Sequence, residues 1–439
     1  MKIRGFMYAC VVSAAAVLTY FNTSAAAQGG ALDEATAARY FAEARALCEG
    51  DGGRLWGRSL CGPMMFADPS TRVAVASEPD AEGILKRSGE VYVGTLPRTI
   101  NIANTSFEWA GVNWMMVMTS AIPADREGRG RMLMHELWHR RQAELGFPAS
   151  GAANEHLDTR EGRVWLQLEW RALASALASR GRGRRRAAED ALLFRARRRA
   201  LFPKAAAEER EMEMHEGLAE YTGVRLSGSP DPARVVREVN LAEGARRESF
   251  VRSFAYASGP AYGLLLDEAA PGWTRRLKKD DDLAELLRKS LRLTLPRDDE
   301  REASERARVY GGDELSASER RREEGRRRLV EGYRARLVEG PVLSIPLRSM
   351  RMSFDPGTLV PLEEFGTVYP NIRIVDAWGV LTVTGGGALL NKTYSGITVP
   401  APSDSALRPL RGDGWTLELK DGWTLAPGAR AGDFVLKES

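Results

Sequence analysis

Histidine, cysteine and lysine are scarce in this chain of 439 residues. It contains four histidines, three cysteines and nine lysines, although arginines number 54. The net charge is only +4, which argues against a dedicated nucleic-acid-binding protein because such proteins carry a larger basic excess. Apolar residues make up 44% and charged residues 28%, so wholesale disorder is excluded. The length allows about three domains, or one large domain with an accessory one.

The N-terminus has the layout of a secretory signal peptide. Lys2 and Arg4 precede an apolar run over residues 5–21, and Ala25-Ala26-Ala27 offers a small-residue cleavage site. We predict that residues 1–27 are cleaved, so that the mature chain is exported to the periplasm or the extracellular space. An uncleaved membrane anchor is the alternative, since the apolar run almost spans a bilayer. No later segment is apolar enough to cross a membrane, so no stable insertion is expected after cleavage.

Cysteine usage agrees with export. Cys10 would be removed with the predicted signal peptide. Only Cys48 and Cys61 would then remain, and they lie close together in the sequence. In an oxidising compartment two such cysteines most simply form one disulfide bond. A zinc-binding role for the pair is disfavoured because no third ligand lies near them in the sequence.

Strand and helix patterns occupy different parts of the chain, which predicts an α+β fold. Residues 62–120 have strand character, with β-rich segments at 73–77, 89–94 and 113–119. Helical spacing of apolar residues predicts the other elements of this region. These are helices at 28–49, 125–146, 205–226 and 256–268, and a pair of helices over 157–203.

The composition changes beyond residue 294. Residues 295–313 have the character of a loop, and Ser316-Ala317-Ser318-Glu319 is a candidate capping box that opens a highly charged helix. After Gly340-Pro341, alternating apolar and polar residues with many glycines predict a small antiparallel β domain over residues 341–439. The predicted organisation is a mixed domain over residues 28–294, a charged linker and helix over 295–340, and this β domain.

Two local patterns in these regions carry further predictions. The Gly-Trp-Thr-Leu pieces at 414–417 and 422–425 predict a hairpin. Arginine clusters at 180–186, 195–199 and 320–328 are flanked by acids or lie on helix faces. Solvated, ion-paired faces are the favoured interpretation of the clusters, so no nucleic-acid partner is predicted.

His135-Glu136-Leu137-Trp138-His139 places two of the four histidines one helical turn apart. At i and i+4 both imidazoles face the same side of a helix and can bind one zinc ion. Glu136 between them can accept a proton from an attacking water. A catalytic zinc needs a third protein ligand and one open position. The sequence has Leu145 where a longer HExxHxxGxxH motif would supply that ligand.

The segment from Glu216 to Tyr221, Glu-Gly-Leu-Ala-Glu-Tyr, resembles the context of the third zinc ligand in gluzincin metallopeptidases. This class includes thermolysin-like enzymes and zinc aminopeptidases, and the resemblance is a motif-level one over about residues 107–270. It implies a zincin-like catalytic domain in which Glu216 completes the zinc site of His135 and His139. It also implies that Glu220 orients His135 through a hydrogen bond.

A second acidic cluster, Asn154-Glu155-His156-Leu157-Asp158, lies nearer to the histidine motif. Glu216 follows His139 by 77 residues, which is farther than these families place their third ligand. Asp158 and Glu155 therefore stay open as alternative ligands, since zinc accepts either carboxylate. Glu216 is favoured because its sequence context is the more specific match. The helices over 157–203 would then be an insert between the two zinc-binding helices.

Tyr256-Ala257-Ser258-Gly259, ahead of an apolar helix, resembles the segment of zinc aminopeptidases whose tyrosine stabilises the oxyanion. The resemblance implies a catalytic role for Tyr256, with Tyr262, Tyr221 and His156 as further candidates. It also implies that the strand at 113–119 is a sheet edge to which an extended peptide adds.

These features predict an exported zinc-dependent peptidase that acts on a peptide or protein substrate. Glu136 would be its general base, with zinc as the cofactor. Two other functions stay open. One is a noncatalytic exported binding protein with a structural or vestigial zinc site, and the other is a zinc hydrolase of non-peptide amides.

Overall fold

The computed structural model describes residues 32–147, 149–296, 299–354, 358–406 and 408–439. The predicted signal peptide, residues 1–27, lies outside the described residues. A mixed region of helices and strands precedes a C-terminal all-β region, so the predicted α+β class is confirmed. The chain divides into two compact units, one ending at Asp313 and the other beginning at Glu314. In the described part of the chain, no helix is both long and apolar enough to span a membrane.

The first unit opens with a helix and a mostly antiparallel sheet. The helix α1 spans Glu34–Asp51, and the carboxylate of Asp33 caps it by accepting a hydrogen bond from the backbone amide of Thr36. The described strands of the sheet are β1 (Met64–Ala67), β2 (Val73–Ala76), β3 (Lys86–Ser88), β4 (Val91–Thr95), β5 (Thr105–Trp109) and β6 (Val112–Met118). They lie in the order β3-β4-β2-β1-β6-β5, and only β1 and β6 pair in parallel.

The strand β6 is an interior strand of this sheet, so the prediction that residues 113–119 form an edge is wrong. β1 pairs with one side of β6 and β5 with the other. The reason is a two-residue turn at Ala110 and Gly111, both with positive φ, which folds β5 back on β6 as a hairpin. The edge of the sheet on this side is therefore β5.

The disulfide between Cys48 and Cys61 connects α1 to the start of the sheet. The Cα atoms of the two cysteines are 5.4 Å apart. The carbonyl oxygen of Cys61 accepts a hydrogen bond of 2.8 Å from the Arg140 guanidinium. The cross-link therefore lies against the helix that carries the histidine motif.

That helix, α2, spans Arg126–Gln142. The carboxylate of Asp125 caps its N-terminus by accepting a hydrogen bond of 2.7 Å from the amide of Gly128. The helix stops before the predicted end at Gly146, because the amide of Phe147 bonds to the carbonyl of Gln142 in a tight terminal turn. Gly146 has a φ of 87° in this turn, a conformation that glycine adopts without strain.

The remaining helices of the first unit follow in chain order. They are α3 (Arg160–Ala178), α4 (Gly181–Leu201), α5 (Ala205–Met212), α6 (Leu218–Leu226), α7 (Pro232–Val235), α8 (Phe254–Ala269), α9 (Leu283–Ser290) and α10 (Asp299–Ala307). A π-helical segment, Glu213–Gly217, connects α5 to α6, and a second one, Val236–Ala242, follows α7. Short 3-10 helices occur at Thr119–Ala121, Glu155–Asp158, Trp273–Arg276 and Arg308–Tyr310.

The helix α10 shows that the predicted loop over residues 295–313 is wrong. Arg306 donates hydrogen bonds to Glu302 one turn earlier and to Glu189 and Asp190 of α4. These long-range ion pairs stabilise a helix whose local composition is too polar to predict it. The next helix, α11 (Gly312–Arg334), also begins before the predicted capping box, and the π-helical segment Ala335–Glu339 follows it.

The arginine cluster at 195–199 is partly a buried network, so its interpretation as a solvated face is wrong. Arg195 is 2% exposed and Arg198 is fully buried. Arg195 donates two hydrogen bonds to Glu213, Arg198 donates two to Glu209, and both donate to Glu169. Burial is tolerated because each guanidinium is paired with carboxylates and makes two hydrogen bonds to one of them.

The second unit contains the all-β region. Its described strands are β7 (Val342–Pro346), β8 (Arg351–Phe354), β9 (Val360–Leu362), β10 (Gly366–Asp376), β11 (Gly379–Leu390), β12 (Gly396–Pro400), β13 (Leu410–Gly412), β14 (Trp415–Leu419), β15 (Trp423–Pro427) and β16 (Phe434–Glu438). Their main path is β13-β14-β11-β12-β7-β16-β15, and β10 pairs with β11, β8 and β9. A hydrophobic core in this region includes the buried residues Trp378 and Trp415.

The predicted hairpin between residues 414–417 and 422–425 is wrong. β14 pairs with β11 on one side and β13 on the other, while β15 pairs with β16. Both edges of β14 are therefore occupied by other strands, which leaves no edge for β15.

Candidate metal centre

Two imidazoles of α2 and one carboxylate of the π-helical segment converge on one point. His135, His139 and Glu216 each offer one ligand atom, and these atoms all lie within 4.8 Å of one another. The Nε2 atoms of the two histidines are 3.1 Å apart. Oε2 of Glu216 lies 3.7 Å from Nε2 of His135 and 3.4 Å from Nε2 of His139. Two imidazole nitrogens and one carboxylate oxygen are a donor set that fits a catalytic zinc ion.

Each histidine is held through its other ring nitrogen. Nδ1 of His135 lies 3.0 Å from Oε2 of Glu220, and Nδ1 of His139 lies 2.8 Å from Oε1 of Gln142. A carboxylate and an amide oxygen can only accept hydrogen bonds, so both contacts place the imidazole proton on Nδ1. The lone pairs of both Nε2 atoms are then available to a metal ion.

Sequence reasoning missed Gln142, although a local signal existed. Gln142 follows His139 by three residues, and residues at that spacing lie on the same face of a helix. A search for acceptors at i+3 and i+4 from each histidine would have found it.

Glu220 reaches His135 because α6 packs closely against α2. A Cβ atom at Gly223 would lie 2.5 Å from the carbonyl oxygen of Arg131, so only glycine permits this approach. Burial would raise the pKa of Glu220, but the Arg131 charge and hydrogen bonds from His135 and Asn240 outweigh it and hold the pKa below its usual value. Glu220 therefore stays ionised and can accept the Nδ1 proton.

We expect Glu220→Ala to weaken zinc binding by about 10- to 100-fold, the usual effect of losing a partner of a metal-binding histidine. The reason is that His135 loses the acceptor that fixes its ring and its tautomer. Competition with a chromogenic chelator measures the zinc affinity. Glu238→Ala is the matched control, because Glu238 is an exposed helical glutamate paired with Arg234. Equal zinc affinity in the two variants would contradict the role of Glu220.

Tyr256 lies in the first turn of α8, beside the cluster. Its hydroxyl donates a hydrogen bond to Oε2 of Glu216. Its ring stacks on the imidazole of His135, with centroids 5.5 Å apart and an interplanar angle of 10°. α8 approaches this closely because two glycines meet: a Cβ atom at Gly259 would lie 2.3 Å from the Cα atom of Gly217.

Asn240 connects Tyr256 to Glu220. Its side-chain amide donates a hydrogen bond of 2.7 Å to Oε1 of Glu220 and one of 2.9 Å to the backbone carbonyl of Tyr256. Asn240 is 8% exposed and belongs to the second π-helical segment. No local sequence signal identifies it, because its partners lie 20 and 16 residues away.

Glu136 is buried on α2 between the two histidines, with 7% of its surface exposed. Burial raises the pKa of its carboxyl, and the charges of His135 and His139 only partly oppose this. A carboxyl whose pKa is raised toward neutrality is suited to accept and return a proton.

The histidines and carboxylates of the cluster shift the pKa values of His135 and Glu216. Burial alone would lower the pKa of His135, but the nearby Glu216 carboxylate and the hydrogen bond to Glu220 outweigh it and raise the pKa to about 10. Burial would raise the pKa of Glu216, and the adjacent imidazoles of His135 and His139 hold it well below its usual value instead. The shift at His135 arises from carboxylates that would also attract a metal cation.

The structure does not bring the alternative ligands to the histidines. Asp158 accepts hydrogen bonds of 2.6 Å from the hydroxyl of Ser249 and 2.8 Å from the amide of Phe250. Within the described ranges, neither Asp158 nor Glu155 belongs to the group of potential ligands formed by His135, His139 and Glu216. The Asp158 carboxylate is instead hydrogen-bonded to the segment that precedes α8.

The other residues considered for the oxyanion have partners elsewhere. Tyr262 donates to Glu169, Tyr221 donates to Asp267, and His156 contacts Glu209. His215 lies at the edge of the cluster, with its ring centroid 5.1 Å from that of His139. Burial lowers the pKa of His215 to about 4.

Two arginines contact the π-helical segment that carries Glu216. Arg195 anchors the π-helical segment, since it donates two hydrogen bonds to Glu213 at the start of that segment. On the solvent side, Nη2 of Arg252 lies 3.3 Å from Oε1 of Glu216. Neither residue was predicted, because each contacts the segment through tertiary structure.

Comparison of the chain with protein-family models, with curated proteins and with solved structures found no match.

Proposed function

We propose that this protein is an exported zinc-dependent peptidase. The observation that carries the proposal is the convergence of His135, His139 and Glu216 with the buried Glu136 beside them. The hydrogen bonds to the other ring nitrogens of the histidines also support a catalytic site. Glu220 and Gln142 hold both imidazoles in the tautomer that binds metal. When bound, zinc would polarise the scissile carbonyl and lower the pKa of the attacking water.

Glu136 is assigned both proton transfers. Glu136 accepts the proton that the attacking water loses, and it later passes this proton to the leaving amine. The base adjoins the metal ligands in the sequence, so one short helical segment positions both. The raised pKa of the Glu136 carboxyl favours the return of the proton.

Tyr256 is assigned the role of stabilising the oxyanion. Its hydroxyl contacts the same oxygen of Glu216 that faces the two histidines, so it lies within reach of a carbonyl oxygen bound at the cluster. A fixed hydroxyl donor stabilises the negative charge that develops on that oxygen in the transition state. The stack on His135 and the hydrogen bond from Asn240 to its backbone hold the residue in place.

An unbiased peptide library tests the proposal. The purified chain from residue 28 is incubated with the library as zinc-loaded, chelator-treated and zinc-reconstituted protein, and products are identified by mass spectrometry. We expect cleavage in the first and third samples and none in the second. Zinc-loaded protein that binds peptides without cutting any would favour a noncatalytic binding protein. Cleavage of non-peptide amides alone would favour the third function.

A further inference from the structure

Arg252 places a cationic group on the solvent side of the candidate centre. Its Nη2 atom is 3.3 Å from Oε1 of Glu216, while Tyr256 and the two histidines face Oε2. The Arg252 side chain is 42% exposed, whereas that of Glu216 is 8% exposed. The guanidinium therefore lies at the boundary between the ligand carboxylate and solvent.

Most of the hydrogen-bonding capacity of this guanidinium is unused. An arginine side chain carries five N–H donors. Among the described residues, the contact with Glu216 is the one hydrogen bond that the Arg252 side chain makes. No other arginine or lysine in the described ranges pairs with His135, His139 or Glu216. The remaining donors are free to bind a ligand.

A second cation near the centre has a different position. Arg131 lies 3.6 Å from Oε1 of Glu220, and its side chain is only 9% exposed. Its charge lies within the protein, against the buried Glu220 carboxylate. Arg252 is the cation that a substrate would meet.

We propose that Arg252 forms a carboxylate-binding subsite, which selects peptides with a carboxylate one residue beyond the scissile bond. The inference rests on the proposed peptidase function. Arginine matches carboxylates in bidentate geometry, and a guanidinium already oriented by one contact loses less freedom on binding. The carboxylate is either the C-terminus of the substrate or the side chain of an aspartate or glutamate.

The shared contact with Glu216 supports this register. Arg252 and Tyr256 contact the two oxygens of one carboxylate, so their polar atoms lie close enough together for one extended residue, about 3.5 Å long, and its carboxylate to bridge them. A peptide whose scissile carbonyl reaches the Tyr256 hydroxyl therefore presents its next residue to Arg252.

Binding and cleavage of matched peptides test the subsite. The peptides share one sequence cut by the protein and differ in the residue after the scissile bond, which carries a C-terminal acid, a C-terminal amide, an internal aspartate or an internal asparagine. Binding is measured by calorimetry on the zinc-loaded Glu136→Gln variant, which holds substrate without turnover. Cleavage by the otherwise unchanged protein gives KM and kcat separately. The two acid–amide comparisons distinguish the C-terminal from the side-chain source.

We expect one acid member to bind at least about 10-fold more tightly than its neutral partner, the typical effect of a charge-assisted hydrogen bond. Arg252→Gln should abolish this preference and Arg252→Glu should reverse it. Arg246→Gln is the control, because Arg246 is a 75% exposed arginine of the preceding loop paired with Glu243. The control should keep the preference.

Several results would overturn the subsite. Equal binding of acid and neutral peptides by the unchanged protein would do so, as would a preference that survives in Arg252→Gln. A loss of zinc affinity in Arg252→Gln with equal effects on all four peptides would assign Arg252 to positioning Glu216 only. Failure of every peptide to bind or be cut would overturn the proposed peptidase function, and this inference with it.

Discussion

Replacement of Glu136 by glutamine is expected to lower kcat/KM for peptide hydrolysis by about 10²- to 10⁴-fold, the usual contribution of a general base. Glutamine has nearly the same volume, so the packing of the buried side chain is preserved, but it cannot accept a proton from water. The variant should bind zinc as tightly as the unchanged protein, because Glu136 is not one of the converging ligands. Initial rates on a library-derived peptide and chelator competition measure the two quantities.

Glu144→Gln is the matched control for this experiment. Glu144 follows the same helix, is exposed and pairs only with Arg141 among the described residues, so its loss should leave the rate unchanged. A Glu136→Gln variant that retained full activity with bound zinc would show that Glu136 is not the general base. Equal losses in the two variants would point to a general effect of charge instead.

Replacement of Glu216 by alanine is expected to abolish stoichiometric zinc binding, whereas Asp158→Ala should retain one zinc ion per chain. Glu216 supplies the third ligand atom of the cluster, and two histidines alone leave an incomplete site. Asp158 instead accepts hydrogen bonds from Ser249 and Phe250. Metal content after gel filtration, measured by atomic emission, separates the two variants.

A control for folding completes this comparison. Far-UV circular dichroism of both variants shows whether the helices are intact, and Glu216→Asp provides a milder change that keeps a carboxylate with a shorter reach. We expect zinc affinity to fall in the order unchanged protein, Glu216→Asp, Glu216→Ala. Retention of zinc by Glu216→Ala together with its loss in Asp158→Ala would transfer the third ligand to the other acidic cluster.

The parts of the structure that local patterns determine could be predicted from the sequence. His135, Glu136 and His139 belong to one helix, so their relative placement follows from helical geometry. Glu216 and Glu220 were predicted because a second helical segment resembles the third-ligand motif of gluzincin metallopeptidases. Local spacing predicted the two helices of the insert between these segments, but it could not show that the insert folds so that Glu216 meets His135.

Other features depend on tertiary contacts and were missed. The π-helical segment that carries Glu216 interrupts an otherwise regular helical pattern, and the buried Arg195 anchors its first residue. Arg195 and Arg198 look like solvated residues in the sequence because the acids that pair with them lie 11 to 29 residues away. The sheet order was missed for a related reason, since strand pairing is set by contacts distant in the sequence.

We expect His135, His139 and Glu216 to bind one catalytic zinc ion. Anomalous diffraction on either side of the zinc absorption edge, from crystals of the zinc-loaded protein, tests it most directly. We expect one zinc peak in contact with Nε2 of both histidines and an oxygen of Glu216. A peak at any other set of residues, or none at full zinc loading, would contradict it.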